Sequence, residues 1–206
     1  MKTRNVKPHT LLIAALLTLS FAAAGLGYAE NHKSFPSDWF WGEPDQQAEH
    51  EAMVGKEPPP LYLTDWHGKK MDLDQLKGKV VLIDVWATWC GPCLAAIPHN
   101  NELLEKYGDK GLVIIGVCNT DGADTMAKVA KEKGMKYPTA KDVDKKTEKA
   151  WNVHWWPTYA LIDRSGIVRA VGLQTSYVED AVKALLKEKA PEGIQESKSD
   201  DTKPAA

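Results

Sequence analysis

An α/β fold, with a mixed central β-sheet flanked by helices on both faces, is predicted by three features of the sequence. Two near-continuous apolar runs, KVVLIDVW at 79–86 and GLVIIGVC at 111–118, have the character of strands buried on both faces of a sheet. Stretches of helical character follow each run, the pattern of strands joined by helical crossovers. The segments PTYALID and GIVRAVG read as a hairpin around 164–166, and an amphipathic helix over 177–189 closes the order.

Taken in order, PLYLTDWHGKKMDLDQL at 60–76 reads as short strands around a turn at 66–69, an N-terminal β extension of the sheet. The helix after the first buried strand has Leu94, Ile97, Leu104 and Tyr107 as candidate inward residues, and Pro98 is expected to kink it. Asp121 or Asp124 can cap a helix that includes 126–133. DKKTEKAW at 144–151 reads as a further short helix. There is no internal repeat.

The chain of 206 residues is 43% hydrophobic and 26% charged, which suits one globular domain with appendages. Its 26 Lys and Arg against 28 Asp and Glu give a net charge of -2, so neither nucleic acid nor an acidic membrane surface is expected as a partner. Lys2, Arg4 and Lys7 precede the uncharged run TLLIAALLTLSFAAAGLGYA, and no acidic residue precedes Glu30. Residues 1–29 therefore read as an export signal, with Gly27 and Ala29 as the small residues of a cleavage site. The run is also about 20 residues long, enough to span a hydrocarbon core, so an uncleaved N-terminal anchor is the alternative. No cysteine near the junction provides a lipoprotein anchor. Either outcome places the domain outside the cytoplasm, in the periplasm, where a dithiol needs a dedicated supply of reductant. Residues 30–52 form a polar linker that carries Trp39, Phe40 and Trp41, aromatics expected to dock on the domain or on a partner. The domain runs over 53–189, and the tail at 190–206 has almost nothing to bury and is expected to be disordered.

The chemistry is concentrated in WATWCGPCLAAIP at 86–98, where Cys90 and Cys93 are separated by two residues. A zinc site needs a second pair or histidines at ligand spacing, and the chain has three cysteines and scattered histidines. Haem attachment needs a histidine directly after the second cysteine, where Leu94 stands. A passive staple closing so short a loop removes little unfolded-chain entropy. Redox work suits the pair. At a strand end and the first turn of a helix, Cys90 faces unsatisfied N–H groups and is reachable, whereas Cys93 lies one turn deeper and is guarded. A free thiol is only ~3% ionised at pH 7, and lowering its pKa to about 7 needs about 2 kcal/mol of preferential stabilisation. The helix dipole contributes ~0.3 to 1 kcal/mol, so charge-assisted hydrogen bonds of about 1.5 to 3 kcal/mol must supply the rest. Pro92 fixes φ in that first turn without removing a needed donor.

VVLIDVWATWCGPC, the later WPTYALIDRSG and the spacing between them resemble the thioredoxin superfamily, and the leader with KGKVVLIDVWATWCGPC is similar to its exported TlpA and ResA type. The resemblance covers about 53–189 and implies a thioredoxin-like fold. It implies Cys90 as attacking nucleophile, Cys93 as resolving thiol, the two forming a redox-active disulfide, and Pro157 as a cis-proline facing it. The backbone of Trp156 would pair with a substrate strand. Asp84, six residues before Cys90, matches the buried acid that takes the Cys93 proton. Burial among Val80, Leu82, Val85 and Trp86 should independently raise its pKa. The sequence departs from the TlpA and ResA type at Ala96, where a glutamate is usual, and from thioredoxin in having no lysine over 112–120. Proton handling thus rests on Asp84. Disulfide-containing client proteins, a membrane thiol electron donor and no cofactor are implied, with cytochrome c maturation and copper-centre assembly as the client pathways.

Trp89, Gly91, Pro92, Trp156 and Pro157 are the candidate substrate-binding residues. Trp89 is expected to shield the site, Trp86 to lie in the core, and at least one of Trp155 and Trp156 to form an apolar platform for substrate. Cys118, in a buried strand, reads as an inert packed thiol, with a third redox or metal ligand as the alternative. His154 reads as a loop or surface residue. A different class of function, copper handling through Cys90, Cys93 and His154, is weakened by spacing, because copper-delivering relatives of the fold use CxxxC with a histidine. A thiol peroxidase would need a threonine- and proline-supported cysteine that this motif lacks.

Overall fold

A computed structural model describes residues 35–190 of the chain; the leader and the tail beyond residue 190 lie outside the described residues. Six strands, β1 (Leu63–His67), β2 (Val80–Trp86), β3 (Leu112–Cys118), β4 (Thr139–Asp142), β5 (Thr158–Ile162) and β6 (Val168–Leu173), form one sheet in the order β1-β4-β3-β2-β5-β6. The helices are α1 (Pro44–Glu51), α2 (Gly91–Tyr107), α3 (Met126–Glu132), α4 (Lys146–Ala150) and α5 (Val178–Lys187). β2, β3 and β4 run parallel, linked by α2 and α3, whereas β5 pairs antiparallel to β2 and β6 antiparallel to β5. β1 pairs antiparallel to β4 at the other edge. This is the mixed sheet with helices on both faces that the apolar runs predict.

All seven residues of β2 are buried, and their alternation feeds two cores. Val80 and Leu82 pack with Leu103 of α2 and with Val178, Ala181, Val182 and Leu185 of α5. Val81, Ile83 and Val85 point to the opposite face, against Trp151, Ile162 and Val168. At about 1.5–3 kcal/mol for each fully buried aliphatic side chain, β2 anchors the sheet from both sides. A third cluster sits at the end of β2 and β3, where Trp86, Ala87, Cys90, Cys93, Cys118, Met126 and Ala130 meet.

Several local expectations need correction. The segment MDLDQL is not a second strand but a 3-10 turn, Leu73–Leu76, in which Asp72 accepts from the Asp74 N–H at 3.1 Å. Leu73 and Leu76 are three apart, which places both on the sheet side of such a turn. β4, with the sequence TAKD, has no apolar run to reveal it. Neither Asp121 nor Asp124 caps α3. A 3-10 turn at Ala123–Thr125 comes first, and the two aspartates pair with Lys145 and Lys141. In α2, Ile97 is fully buried and Leu94, Leu104 and Tyr107 are partly buried against the core, as expected, while Cys93, Ala96, Asn100 and Leu103 join the buried stripe; the helix runs through Pro98.

The aromatic segment docks on the domain. Phe40 bridges to Leu173, the Trp41 N–H donates to the Gly172 carbonyl at 2.9 Å, and the Gln174 N–H donates to Trp39 at 2.9 Å. Trp39 stacks on Tyr177 with ring centroids 5.0 Å apart. These contacts occupy the open edge of β6, a position that otherwise exposes unpaired backbone groups. α1 follows, and its buried His50 packs against Gly172, where a Cβ would lie 2.6 Å from the imidazole Nδ1.

Candidate active site

The end of β2 delivers the chain into the loop at 87–90 and then directly into α2. Cys90 is the N-cap of that helix, with extended backbone, and its Sγ accepts from the Cys93 N–H at 3.2 Å. Pro92 stands in the first turn, where its missing N–H removes no intrahelical bond. Cys90 and Cys93 form a disulfide with Cα atoms 5.3 Å apart. The bond draws both sulfurs into one layer: Cys90 is 5% and Cys93 3% exposed. The distinction between a reachable and a guarded sulfur is therefore not visible in the oxidised state.

The neighbouring loops fix the rim. Trp89 is 56% exposed, yet its indole N–H donates to the Asp121 carbonyl at 2.9 Å. Thr88 donates to the Gly122 carbonyl at 3.1 Å, and Gly122 adopts φ +85°, where a Cβ would meet the Thr88 hydroxyl at 2.5 Å. The loop bearing the cysteines is thus pinned to the loop after β3. The Trp156–Pro157 peptide is cis, and the Trp156 ring stands edge-on to Trp89 at 5.4 Å while packing on the cysteine cluster. Gly91 and Pro92 are exposed beside the disulfide, and a Cβ at Gly91 would meet nothing within 4 Å. Trp89, Gly91, Pro92 and Trp156 thus form an apolar rim around the sulfurs. Trp155 turns the other way, 5.5 Å from His50.

Two residues before Trp86 on β2 lies a buried carboxyl. Leu82, Asp84 and Trp86 share one face of β2, so Asp84 sits between the α5-facing core and the cysteine cluster. It is 2% exposed, and burial pushes its pKa up to about 6, against the opposing pull of hydrogen bonds from Tyr137 and Asn100. The Tyr137 hydroxyl donates to Oδ2 at 2.8 Å and the Asn100 amide to the same oxygen at 3.0 Å. Oδ1 has no hydrogen-bond partner. Asn100 and Tyr137 were not expected from the sequence. The available signal was that Asn100 lies seven residues after Cys93, two helical turns along the same face.

Trp86 is core, as its place in the apolar run implied, and its indole N–H reaches Thr139 of β4 at 2.8 Å. Cys118 is fully buried, and burial pushes its thiol up to about 12, so it stays protonated at neutral pH. His154 bonds to Glu49 at 2.9 Å and stacks near Trp155. Among the described residues, no group of three His, Cys, Asp or Glu side chains converges as a metal site. A groove of about 510 Å³ lined by Pro58, Leu63, Trp66, Met71, Leu73 and Ile167, among others, contains none of the cysteine-site residues.

A disulfide at a helix N-cap, packed against Trp156 of the cis Trp156–Pro157 peptide, is an arrangement for exchanging a disulfide with another molecule. Comparison with known proteins decides the family. Residues 53–186 match the Redoxin family model. The chain belongs to the Redoxin family. It is 41% identical over 132 residues to the thiol-disulfide oxidoreductase ResA of Bacillus thuringiensis, covering 62% of this chain and 76% of that protein. It is 36% identical over 149 residues to the protein DipZ of Mycobacterium bovis, covering 66% of this chain and 21% of DipZ. In structure it is similar to a candidate thiol:disulfide interchange protein DsbE from Chlorobium tepidum, with TM-score 0.57, 27% identity and coverage of 63% and 96%. The fold is thioredoxin-like, and the protein is a thiol:disulfide oxidoreductase.

Proposed function

We propose that this oxidoreductase works outside the cytoplasm and reduces disulfides of client proteins, with Cys90 as nucleophile, Cys93 as resolving thiol and Asp84 as the acceptor of the Cys93 proton. The observation that carries this reading is the helix-capping disulfide: the Cys90 sulfur already accepts from the Cys93 N–H, the hydrogen bond that a thiolate there would strengthen. In the reduced protein, the Cys90 thiolate attacks one sulfur of a client disulfide, forming a mixed disulfide and expelling the first client thiolate. The Cys93 proton passes to Asp84, and the Cys93 thiolate attacks Cys90, closing the intramolecular disulfide and expelling the second client thiolate. Two electrons leave the protein, and two protons complete the client thiols, one the Cys93 proton returned from Asp84 and the other taken from solvent. A thiol donor at the membrane then restores the dithiol; the sequence carries no nicotinamide or flavin motif. Trp89, Gly91, Pro92, Trp156 and Pro157 form the surface on which the client chain lies. Export rests on the leader read in residues 1–29.

The test is insulin-disulfide reduction with dithiothreitol as electron source. Cys90→Ser should reduce turnover to the background rate. Cys93→Ser should also lose turnover but accumulate mixed disulfides with clients in the native host. Turnover retained by Cys90→Ser would overturn the assignment of the nucleophile. Location is tested separately by fusing residues 1–52 to alkaline phosphatase, which is active only when exported; an inactive, well-expressed fusion overturns export.

A further inference from the structure

The buried acid of β2, Asp84, is held in an asymmetric way. Both hydrogen bonds to Asp84, from the Tyr137 hydroxyl at 2.8 Å and the Asn100 amide at 3.0 Å, converge on Oδ2, while Oδ1 has none. The Asn100 amide nitrogen also lies 3.3 Å from the Tyr159 oxygen, and its two hydrogens suffice for Asp84 and one tyrosine. Three elements meet here: α2 brings Asn100, the segment before β4 brings Tyr137, and β5 brings Tyr159. Asn100 and Tyr159 are essentially sealed from solvent, and Tyr137 is 3% exposed. Such a cluster is costly to bury unless its partners are fixed.

We propose that Tyr137 and Asn100 are positioning residues for Asp84, which tie down Oδ2 and leave Oδ1 as the atom that gains and loses the proton. The inference rests on the reading of Asp84 as proton acceptor only in its kinetic consequence; the geometry stands by itself. A donor directed at one carboxylate oxygen stabilises the charged form and leaves the other oxygen with the available lone pairs. Tyr137 and Asn100 thereby oppose the effect of burial and keep the carboxyl titrating near neutrality. The titratable groups around it do not compete in that range. Tyr137 and Tyr159 are raised well above their ordinary value by burial, and Cys118 is pushed up to about 12 by the same cause. α2 contributes the uncharged Asn100 and, in the oxidised protein, a disulfide that does not titrate. Asp84 is then the group of this cluster whose charge changes between pH 4 and pH 8.

The experiment follows the ¹³C resonance of the Asp84 carboxyl through a pH titration of the oxidised full-length protein, assigned by its loss in Asp84→Asn. Removing either donor, with Tyr137→Phe or Asn100→Leu, should raise the midpoint by about one to two pH units, the worth of a charge-assisted hydrogen bond. Tyr159→Phe, which removes a hydroxyl that hydrogen-bonds Asn100 and makes no hydrogen bond to Asp84, should move it by less than half as much. A midpoint unchanged in both Tyr137→Phe and Asn100→Leu overturns the inference, and so does an equal shift in Tyr159→Phe. If one variant does not fold, the other decides. The acid limb of the mixed-disulfide resolution rate is recorded in parallel. A carboxyl midpoint that moves without moving that limb supports the positioning and removes Asp84 from the role of proton acceptor, so the two readings fail separately.

Discussion

Asp84→Asn is expected to change the pH dependence of stability in a way that its contacts alone would not. The folded protein holds the Asp84 proton more tightly than the unfolded chain, with the pKa raised from 3.8 to about 6 by burial. Between those values the folded state binds more protons, so stability is fullest below pH 4 and falls as pH rises toward 6. At about 1.4 kcal/mol per unit, the loss totals about 3 kcal/mol, of which about 2 kcal/mol falls between pH 4 and pH 7. Asp84→Asn removes this term. Its amide also places N–H donors where Oδ1 now lacks a partner, which costs about 1–3 kcal/mol, but equally at both pH values. The informative quantity is therefore the difference of differences: wild type minus variant, pH 4 minus pH 7. Guanidinium unfolding of both oxidised proteins at the two pH values measures it, and the remaining carboxylates cancel. A value near 2 kcal/mol is expected. A wild-type minus variant difference that is flat across this window would falsify the claim that burial holds the carboxyl up.

Three further outcomes follow from packing. Gly116→Ala should destabilise the protein by about 1–3 kcal/mol in denaturant unfolding, since its Cβ would lie 2.6 Å from the Thr139 hydroxyl and 3.2 Å from the Trp86 indole nitrogen. Arg169→Met should cost about 3 kcal/mol in the same assay, because the buried guanidinium bonds to Asp163 at 3.2 Å and to Glu188 at 3.0 Å. Trp39→Ala should speed hydrogen exchange at the Trp41 amide, which donates to Gly172 of β6, and at the Gln174 amide, which donates to the Trp39 carbonyl, while exchange in β2 stays slow; unchanged rates at both would show that the stack on Tyr177 does not hold that edge.

What the sequence made legible follows from how strongly each element depends on a local signal. β2 and β3 announce themselves because strands covered on both faces must be apolar throughout, and the cysteine pair because few arrangements use that spacing. β4 does not, because two of its three buried residues are polar: Thr139 is inside to meet the Trp86 indole, and Asp142 to accept from the N–H groups of Thr147 and Glu148 at the start of α4. The same blindness hides Asn100 and Tyr137. Their partners lie 16 and 53 positions away in the chain, and only the folded sheet brings them to Asp84. Asp84 itself was legible because it interrupts an apolar strand. The type and position of Asp121 and Asp124 suit a helix cap, but their carboxylates pair with Lys145 and Lys141, and the Asp121 carbonyl holds Trp89.

The two halves of the site constrain each other through charge. Activating Cys90 to a pKa of about 7 requires about 2 kcal/mol of preference for the thiolate. The end of a helix gives at most ~1 kcal/mol, and the Cys93 N–H that already points at the sulfur can give about 1.5–3 kcal/mol once the acceptor is charged. Together these suffice without a neighbouring cation. They do not serve Cys93, because its sulfur lies in the same nearly sealed layer and has no helix-cap position of its own. An ionised Asp84 nearby would make matters worse, since like charges in a buried layer disfavour one another. In the proposed mechanism, passing the Cys93 proton to Asp84 would resolve this conflict: one negative charge would disappear from the carboxyl as another forms on sulfur, and the buried count would stay constant. A carboxyl at its ordinary value would hold that proton too weakly; burial raises Asp84 to about 6, and the hydrogen bonds from Tyr137 and Asn100 limit that rise.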